Sequence, residues 1–333
     1  MRVGIFGVAH HHVDAYIDNL RAVGDVEVVG VTDHDRSRAR TWADAHGVAP
    51  FSSYDALLDT GVDAVVVCSE TSHHRELVEM AAREDVYVLC EKPLAATAAD
   101  ARAMVAACDE RGVALMTAFP MRFSAPVAQV RDMVHAGALG TVYACNGANQ
   151  GELPTRHRAW FVDRTLAGGG AVMDHTVHLA DLLRWYLDRE VVEVYAVTNR
   201  LLHADRVDVE TGGLVMLTFA DGVFATIDCS WSRPGSYPTW GGLQLELVGE
   251  HGVIAVDAFR QHIELYSDVD TPVRWPGWGS DANQAMIDEF CAAVRERRSP
   301  AVTGVDGLRA TEIVVAAYES DRTGNPVRLP SSL

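Results

Sequence analysis

The chain has 333 residues, 48% hydrophobic and 22% charged, an ordinary globular composition with length enough for two domains and sizeable cores. Its 46 acidic and 28 basic side chains give a net charge of -18, which argues against nucleic acid and anionic membranes as partners. No early basic-then-apolar stretch reads as a secretory signal, and no apolar run is long enough to cross a bilayer, so a cytoplasmic protein is expected. The six cysteines (Cys68, Cys90, Cys108, Cys145, Cys229, Cys291) form no C-x-x-C pair and mostly sit in apolar runs. They are expected as buried thiols, not as a disulfide framework.

Arg2 to Phe6 reads as a strand, Gly7 to His12 as a loop, Val13 to Val23 as a helix, and Val26 to Val31 as a second strand ending in Thr32-Asp33. Strand, loop, helix, strand is the first unit of a dinucleotide-binding fold. Gly7 stands as the first glycine of the phosphate loop, with Ala9 and His12 in the second and third positions. Ala9 is small enough for backbone to approach a pyrophosphate; His12 is not small, which argues against close helix–strand packing there. Asp33 stands where a carboxylate takes the ribose hydroxyls, so NAD is expected in preference to NADP, with Arg36 and Arg38 near enough to reach a phosphate. The adjacent histidines 10, 11 and 12 are expected to serve the cofactor loop and not a metal. Neighbours in sequence diverge, and no cysteine or carboxylate is spaced to close a site.

Helices follow at Ser37 to His46 and Ser53 to Thr60, then the apolar strand Ala64 to Cys68, of the kind buried in a parallel sheet. Ser69 to His74 is a loop, Arg75 to Arg83 a helix, and Val86 to Cys90 a strand. Ligands bind at the carboxyl ends of such strands. Gly7 to His12, Asp33, Ser69 to His74 and the loop after Cys90 are therefore expected along one crevice. That last loop, Glu91-Lys92-Pro93-Leu94, places a lysine directly after a buried strand, and the proline biases it towards extended geometry. Thr97 caps a helix to Arg111, and Val113 to Ala118 leads to Met121-Arg122-Phe123.

In the second half, Gly168-Gly169-Gly170 runs into a helical pattern that sets Asp174, His178 and Asp181 at i, i+4 and i+7, on one face. A carboxylate one turn from an imidazole is a natural acid–base pair. The competing readings are an amphipathic helix with a solvated face and a metal site from Asp174, His175, His178 and Asp181. Strands are expected at 141–148, 191–198, 214–219, 223–230, 243–248 and 263–266, with Asp221-Gly222 as a hairpin turn. Helices are expected at 282–297 and 308–320.

These features together resemble the Gfo/Idh/MocA family (glucose–fructose oxidoreductase and inositol dehydrogenase). The resemblance rests on the glycine loop, Asp33, Glu91-Lys92-Pro93 and Met121-Arg122-Phe123. Trp160 through the three glycines to Asp174, His178 and Asp181 strengthens it, as does the tail from Ala316 to Val327. It implies an α/β Rossmann domain (1–122) followed by an α+β domain (123–333) with a large, mostly antiparallel open sheet, through which the family forms homodimers or homotetramers. It implies Lys92, Asp174 and His178 as catalytic residues. Implied cofactor contacts are Phe6, Gly7, Val8, Ala9, His10, Asp33, Ser69, Glu70, His74, Glu91, Lys92 and Arg122. Implied substrate contacts are Lys92, Trp160, Asp174, His175 and His178.

The implied chemistry is hydride transfer between NAD and a secondary alcohol of a sugar, cyclitol or related polyol, with no metal. His178 takes the hydroxyl proton, Asp174 fixes the His178 tautomer or binds a neighbouring hydroxyl, and Lys92 stabilises alkoxide charge. Trp160, Trp231, Tyr237 and Trp240 offer aromatic faces for a sugar ring, and Arg156, His157, Arg158 and Arg233 can bind hydroxyls or an acid group. A redox-neutral relative that uses NAD transiently and a non-catalytic dinucleotide-binding regulator stand as alternatives.

Overall fold

Residues 1–156, 158–239, 241–262 and 277–330 are described by the structure, a computed structural model. The first half alternates β1 (Arg2–Phe6), α1 (His12–Ala22), β2 (Glu27–Thr32), α2 (Arg36–His46), α3 (Tyr54–Leu58), β3 (Ala64–Val67), α4 (His74–Arg83), β4 (Tyr87–Cys90), α5 (Ala98–Arg111) and β5 (Leu115–Thr117). The five strands form one sheet in the order β2-β1-β3-β4-β5, every pair parallel. Strand β3, Ala-Val-Val-Val, is buried at every residue because both sheet faces are covered. Val3, Ile5 and Val66 face Val13, Tyr16 and Leu20 of α1. Phe6, Val65 and Val67 face the side packed by α3, α4 and α5. The strand order reverses at β1, so a crevice opens where the carboxyl ends of β1 and β3 diverge.

The second half comprises α6 (Ala125–His135), β6 (Val142–Glu152), α7 (Arg164–Ala167), α8 (Ala171–Leu187), β7 (Val191–Asn199), β8 (Gly212–Phe219), β9 (Phe224–Arg233), β10 (Gly241–Gly249), β11 (Gly252–Asp257), α9 (Ala282–Glu296), α10 (Gly304–Thr323) and β12 (Val327–Arg328). Its seven strands run in the order β11-β10-β6-β9-β8-β7-β12, antiparallel except for the parallel pair β6–β9. Asp221-Gly222 turns β8 into β9, with Gly222 at φ +90. Helices α8 and α10 cover one face of this sheet. The other face is open and carries Tyr143, Val197, Leu214, Met216 and Phe224. In β8 the alternation is plain: Val215, Leu217 and Phe219 point to the core, Leu214 and Met216 away from it. Helix α6 and strands β11 and β12 had no counterpart in the sequence reading. The strand expected at 263–266 lies outside the described residues.

The halves interlock. Helix α9 packs on α1, and Leu308 of α10 joins the core on the α5 side of the first sheet. Arg122, at the boundary, donates from Nε and Nη2 to both oxygens of Asp181 on α8 (2.8 and 2.5 Å) and from Nη2 to Asp306 on α10 (2.9 Å).

Candidate active site

Helix α8 organises the site. It is buried on all sides, with every residue but Trp185 out of solvent, including Asp174, His175, His178, Asp181 and Arg184. It is therefore not an amphipathic surface helix. The three glycines explain its start. A Cβ at Gly169 would lie 1.9 Å from the Tyr318 hydroxyl, and one at Gly170 would lie 2.1 Å from the Glu210 carbonyl oxygen. The bare backbone lets Glu210 Oε1 accept from Gly170 N (2.7 Å) and Val172 N (3.2 Å), while the Tyr318 hydroxyl accepts from Met173 N (3.1 Å). A carboxylate at the positive end of the helix satisfies its unpaired amides. The glycines serve this side-chain cap, and the helix start is closed to a ligand.

At the first sheet, Gly7 has φ +82, and a Cβ there would lie 2.7 Å from Ser69 Cα. Only glycine lets the phosphate loop pass the end of β3 so closely. The first turn of α1 follows without a side-chain cap, since His11 at its N-cap makes no such bond. In that turn His12 N donates to His10 Nδ1 (3.3 Å), Val13 N to the His10 carbonyl (3.2 Å) and Asp14 N to the His11 carbonyl (3.2 Å); the positive end of the helix suits a diphosphate. Asp33 closes the loop by accepting from Val8 N (2.7 Å) and Asp35 N (2.7 Å). Arg38 lies across the end of the crevice, bonded to both oxygens of Asp33 and both of Glu70. His74 is buried and ties the β3 and β4 loops together through the carbonyls of Pro93, Leu94 and Ser69. Phe6 is buried against Tyr54.

Between the halves lies a cavity lined by His12, Lys92, Asn149, Arg158, Asp174 and His178, with Pro120, Met121, Leu243, Phe259 and 281–283 completing its wall. The Lys92-Pro93 bond is cis. Lys92 Nζ donates to Asp174 Oδ1 at 2.8 Å, and Trp231 Nε1 donates to Oδ2 at 3.2 Å. Burial opposes charge on Asp174, but Lys92, then His175 and Arg158, hold its carboxyl well below the usual range. Burial and the Lys92 ammonium push His178 well below the ordinary imidazole value, with Asp174 only partly opposing. His178 is thus a neutral ring whose Nδ1 has no hydrogen-bond partner. Beneath Lys92, Glu91 accepts from the Tyr16 hydroxyl (2.6 Å) and Lys92 N (2.9 Å) and bonds His12 (2.9 Å). Burial raises the Glu91 pKa; His12, Lys92 and Tyr16 outweigh it and bring it to about 2.

Lys92, 82 residues before Asp174 in sequence, therefore lines one cavity with Asp174 and His178. Other residues are placed differently. Asp174 holds Lys92 and Trp231 and makes no hydrogen bond to His178, so it does not fix that ring's tautomer in this geometry. His175 sits behind the wall, fully buried, bonded to Asn149 Oδ1 (3.2 Å). Trp160 donates to the Ala9 carbonyl (3.0 Å), anchoring the phosphate loop outside the cavity. Trp231 is buried and works through its indole N–H, with no free ring face. Arg122 is consumed by Asp181 and Asp306, so its guanidinium is structural in this geometry. That same pairing removes Asp181 from a metal site with Asp174, His175 and His178, and among the described residues those four form no ligand group. His157 and Trp240 lie outside the described residues.

The three adjacent histidines correct the sequence argument. Ring nitrogens of His10, His11 and His12 do gather within 4.8 Å of one another, and Glu91 reaches His12. Helix onset at His12 bends the chain enough to converge them. The surroundings disfavour a cation, because the Arg158 guanidinium lies 3.3 Å from His10 Nε2. Burial and Arg158 together drive His11 to about 2. Asn149 and Glu210 were missed by sequence reasoning. Asn149 is a buried polar residue in a strand, and that oddity was the available signal.

Comparison with known proteins agrees with this architecture. Residues 1–119 match the family described as "Oxidoreductase family, NAD-binding Rossmann fold", and residues 127–255 match the "GFO/IDH/MocA C-terminal domain". The inositol 2-dehydrogenase of Acidothermus cellulolyticus is 30% identical, covering 98% of this chain and 94% of its own. The D-xylose 1-dehydrogenase (NADP(+)) 2 of Haloferax volcanii is also 30% identical, over 99% and 100%. The crystal structure of GenD2 from gentamicin A biosynthesis in complex with NAD superposes with a TM-score of 0.89 at 28% identity, over 99% and 96% of the two chains.

Proposed function

The chain belongs to the Gfo/Idh/MocA oxidoreductase family, and from that premise we propose that it is an NAD-dependent dehydrogenase acting on a secondary alcohol of a sugar, cyclitol or related polyol. The observation that carries this reading is the meeting of Lys92, Asp174 and His178 in one cavity beside the dinucleotide crevice. The relatives named as inositol and xylose dehydrogenases support the substrate class.

The Gly7 loop, the start of α1 and the Asp33 end of the crevice would hold the nicotinamide cofactor, which would supply the hydride acceptor. His178, neutral at physiological pH, accepts the substrate's hydroxyl proton. Lys92, positioned by Asp174, stabilises negative charge on the alcohol oxygen, and Asp174 is itself oriented by the Trp231 N–H. Asp33 and Glu70 together place two carboxylates at the ribose end, which favours NAD; Arg38 is already spent on both. The six cysteines are buried and unpaired, in keeping with a cytoplasmic enzyme. Among the described residues no helix is long and apolar enough to cross a membrane.

NAD at about 100 times its dissociation constant should raise stability by roughly 2.7 kcal/mol, visible as a thermal shift. A panel of sugars and inositols should then contain one that reduces it. A shift without reduction by any polyol would instead support the redox-neutral alternative, and no shift with either NAD or NADP would overturn the reading.

The open sheet face supports a homodimer or homotetramer. Leu214 pairs with Val197 across β8 and β7, giving a row of apolar side chains in solvent. Leu214→Glu should lower the molar mass measured by light scattering and leave the fold intact by circular dichroism. An unchanged mass would place the contact elsewhere.

A further inference from the structure

Four arginines are buried among the described residues: Arg122, Arg158, Arg184 and Arg309. Three of them face carboxylates. Arg122 meets Asp181 and Asp306, Arg184 meets Glu190 and Asp306, and Arg309 meets Glu312. Arg158 has no ion pair among the described residues. It is 9% exposed, its Nη1 lies 3.3 Å from the neutral His10 ring, its guanidinium stacks 4.2 Å over Phe161, and its Nε is buried without a hydrogen-bond partner. Burial pulls its pKa down, with Asp174, Glu91 and Glu152 opposing from a distance. Asp174 is already engaged by Lys92 and Glu91 by His12 and Tyr16, and Glu152 forms no ion pair with Arg158.

A buried charge is retained at such a cost only where something compensates it. Arg158 lines the cavity together with Lys92, Asp174 and His178. We propose that the missing partner arrives with the substrate: Arg158 receives a carboxylate on the polyol, so that the enzyme acts on a sugar acid and not on a neutral sugar. The guanidinium fork suits two carboxylate oxygens at once. The cavity is about 170 Å³, below the roughly 300–1,000 Å³ of sites for drug-sized ligands, which suits a single small ring. The cofactor's diphosphate is the other anion in reach. The start of α1 borders the same cavity through His12, and Arg158 touches His10, whereas Asp33, Ser69 and Glu70 are absent from that wall, so the test below includes NAD affinity.

This inference rests on the substrate cavity of the proposed dehydrogenase, and its test separates the two. Binding of D-glucuronate, D-galacturonate, D-glucose, D-galactose and myo-inositol to the NAD-saturated protein is measured by calorimetry, and cofactor reduction is followed separately. At least one acid should bind roughly 10- to 100-fold more tightly than its neutral parent. Arg158→Gln should abolish that preference, and Arg158→Lys should keep part of it. Neutral parents binding as well as their acids would overturn the proposal. So would Arg158→Gln weakening NAD itself by about tenfold with the acid preference intact, which would assign the guanidinium to the diphosphate. An Arg158-dependent acid that binds without reducing NAD would support this inference and defeat the dehydrogenase reading.

Discussion

His178→Ala lowers turnover by about 100- to 10,000-fold, the usual worth of a positioned proton acceptor, and leaves the NAD-induced thermal shift in place. The ring lines the cavity, is neutral, and has no hydrogen bond at Nδ1. Its removal therefore strands no charge and breaks no network. The contrasting variant is Lys92→Met. That change also removes the charge assigned to the alcohol oxygen, but it takes from the buried Asp174 carboxylate its ion-pair partner, and breaking such a pair costs roughly 3–5 kcal/mol. The two variants should both be inactive, and only the lysine variant should melt early. Turnover in His178→Ala within a factor of ten of the native enzyme would exclude His178 as the proton acceptor. Because burial and Lys92 depress His178, kcat/KM should show no histidine limb near pH 6.5 and should decline only at more acid pH.

Acidification should unfold the protein unusually early. Five buried imidazoles, His10, His11, His74, His175 and His178, all have folded pKa values lowered, with burial as the largest cause. His175 falls to about 4 and His11 to about 2. A group depressed on folding contributes its full stability above the unfolded value, about 6.5 for histidine, and loses it as pH falls towards the folded one. Each such ring costs about 1.4 kcal/mol per pH unit in that window. Where several rings lose their stability over the same window, their slopes add. Against a net stability of about 5–15 kcal/mol, that loss is large. The depressed carboxyls of Glu91 and Asp174 add in the same direction at still lower pH. Urea midpoints measured from pH 7.5 to 5 should fall steeply below about pH 6.5. A midpoint flat across that range would show that these rings are not held neutral.

Most of the first half was legible because a parallel sheet writes itself as continuous apolar runs, and β3 is the clearest case. The meeting of Lys92 with Asp174 and His178 came from a family resemblance, since no local pattern joins residues on opposite sides of a domain boundary. Helix α8 shows where local reading stops. Its i, i+4, i+7 face was visible, but Asp181 belongs to Arg122, and nothing near Asp181 in sequence announces that partner. Trp231 was read as a sugar-covering face, yet it supplies an N–H to Asp174 from 57 residues away. Strand β11 escaped because it lies at the sheet edge, half in solvent, without an alternating apolar pattern. Helix α6 begins just past Phe123, where the sequence reading of the first half ended.

The Arg122 junction also governs how the enzyme can open. A hinge between the halves would have to tear a buried guanidinium from Asp181 and Asp306 and lift α9 from α1. Across the crevice, Trp160 also donates to the Ala9 carbonyl, and the Arg158 guanidinium and the rings of Trp160 and Phe161 lie against His10. Release of a bound dinucleotide by rotation of the halves would therefore have to break all of these contacts together.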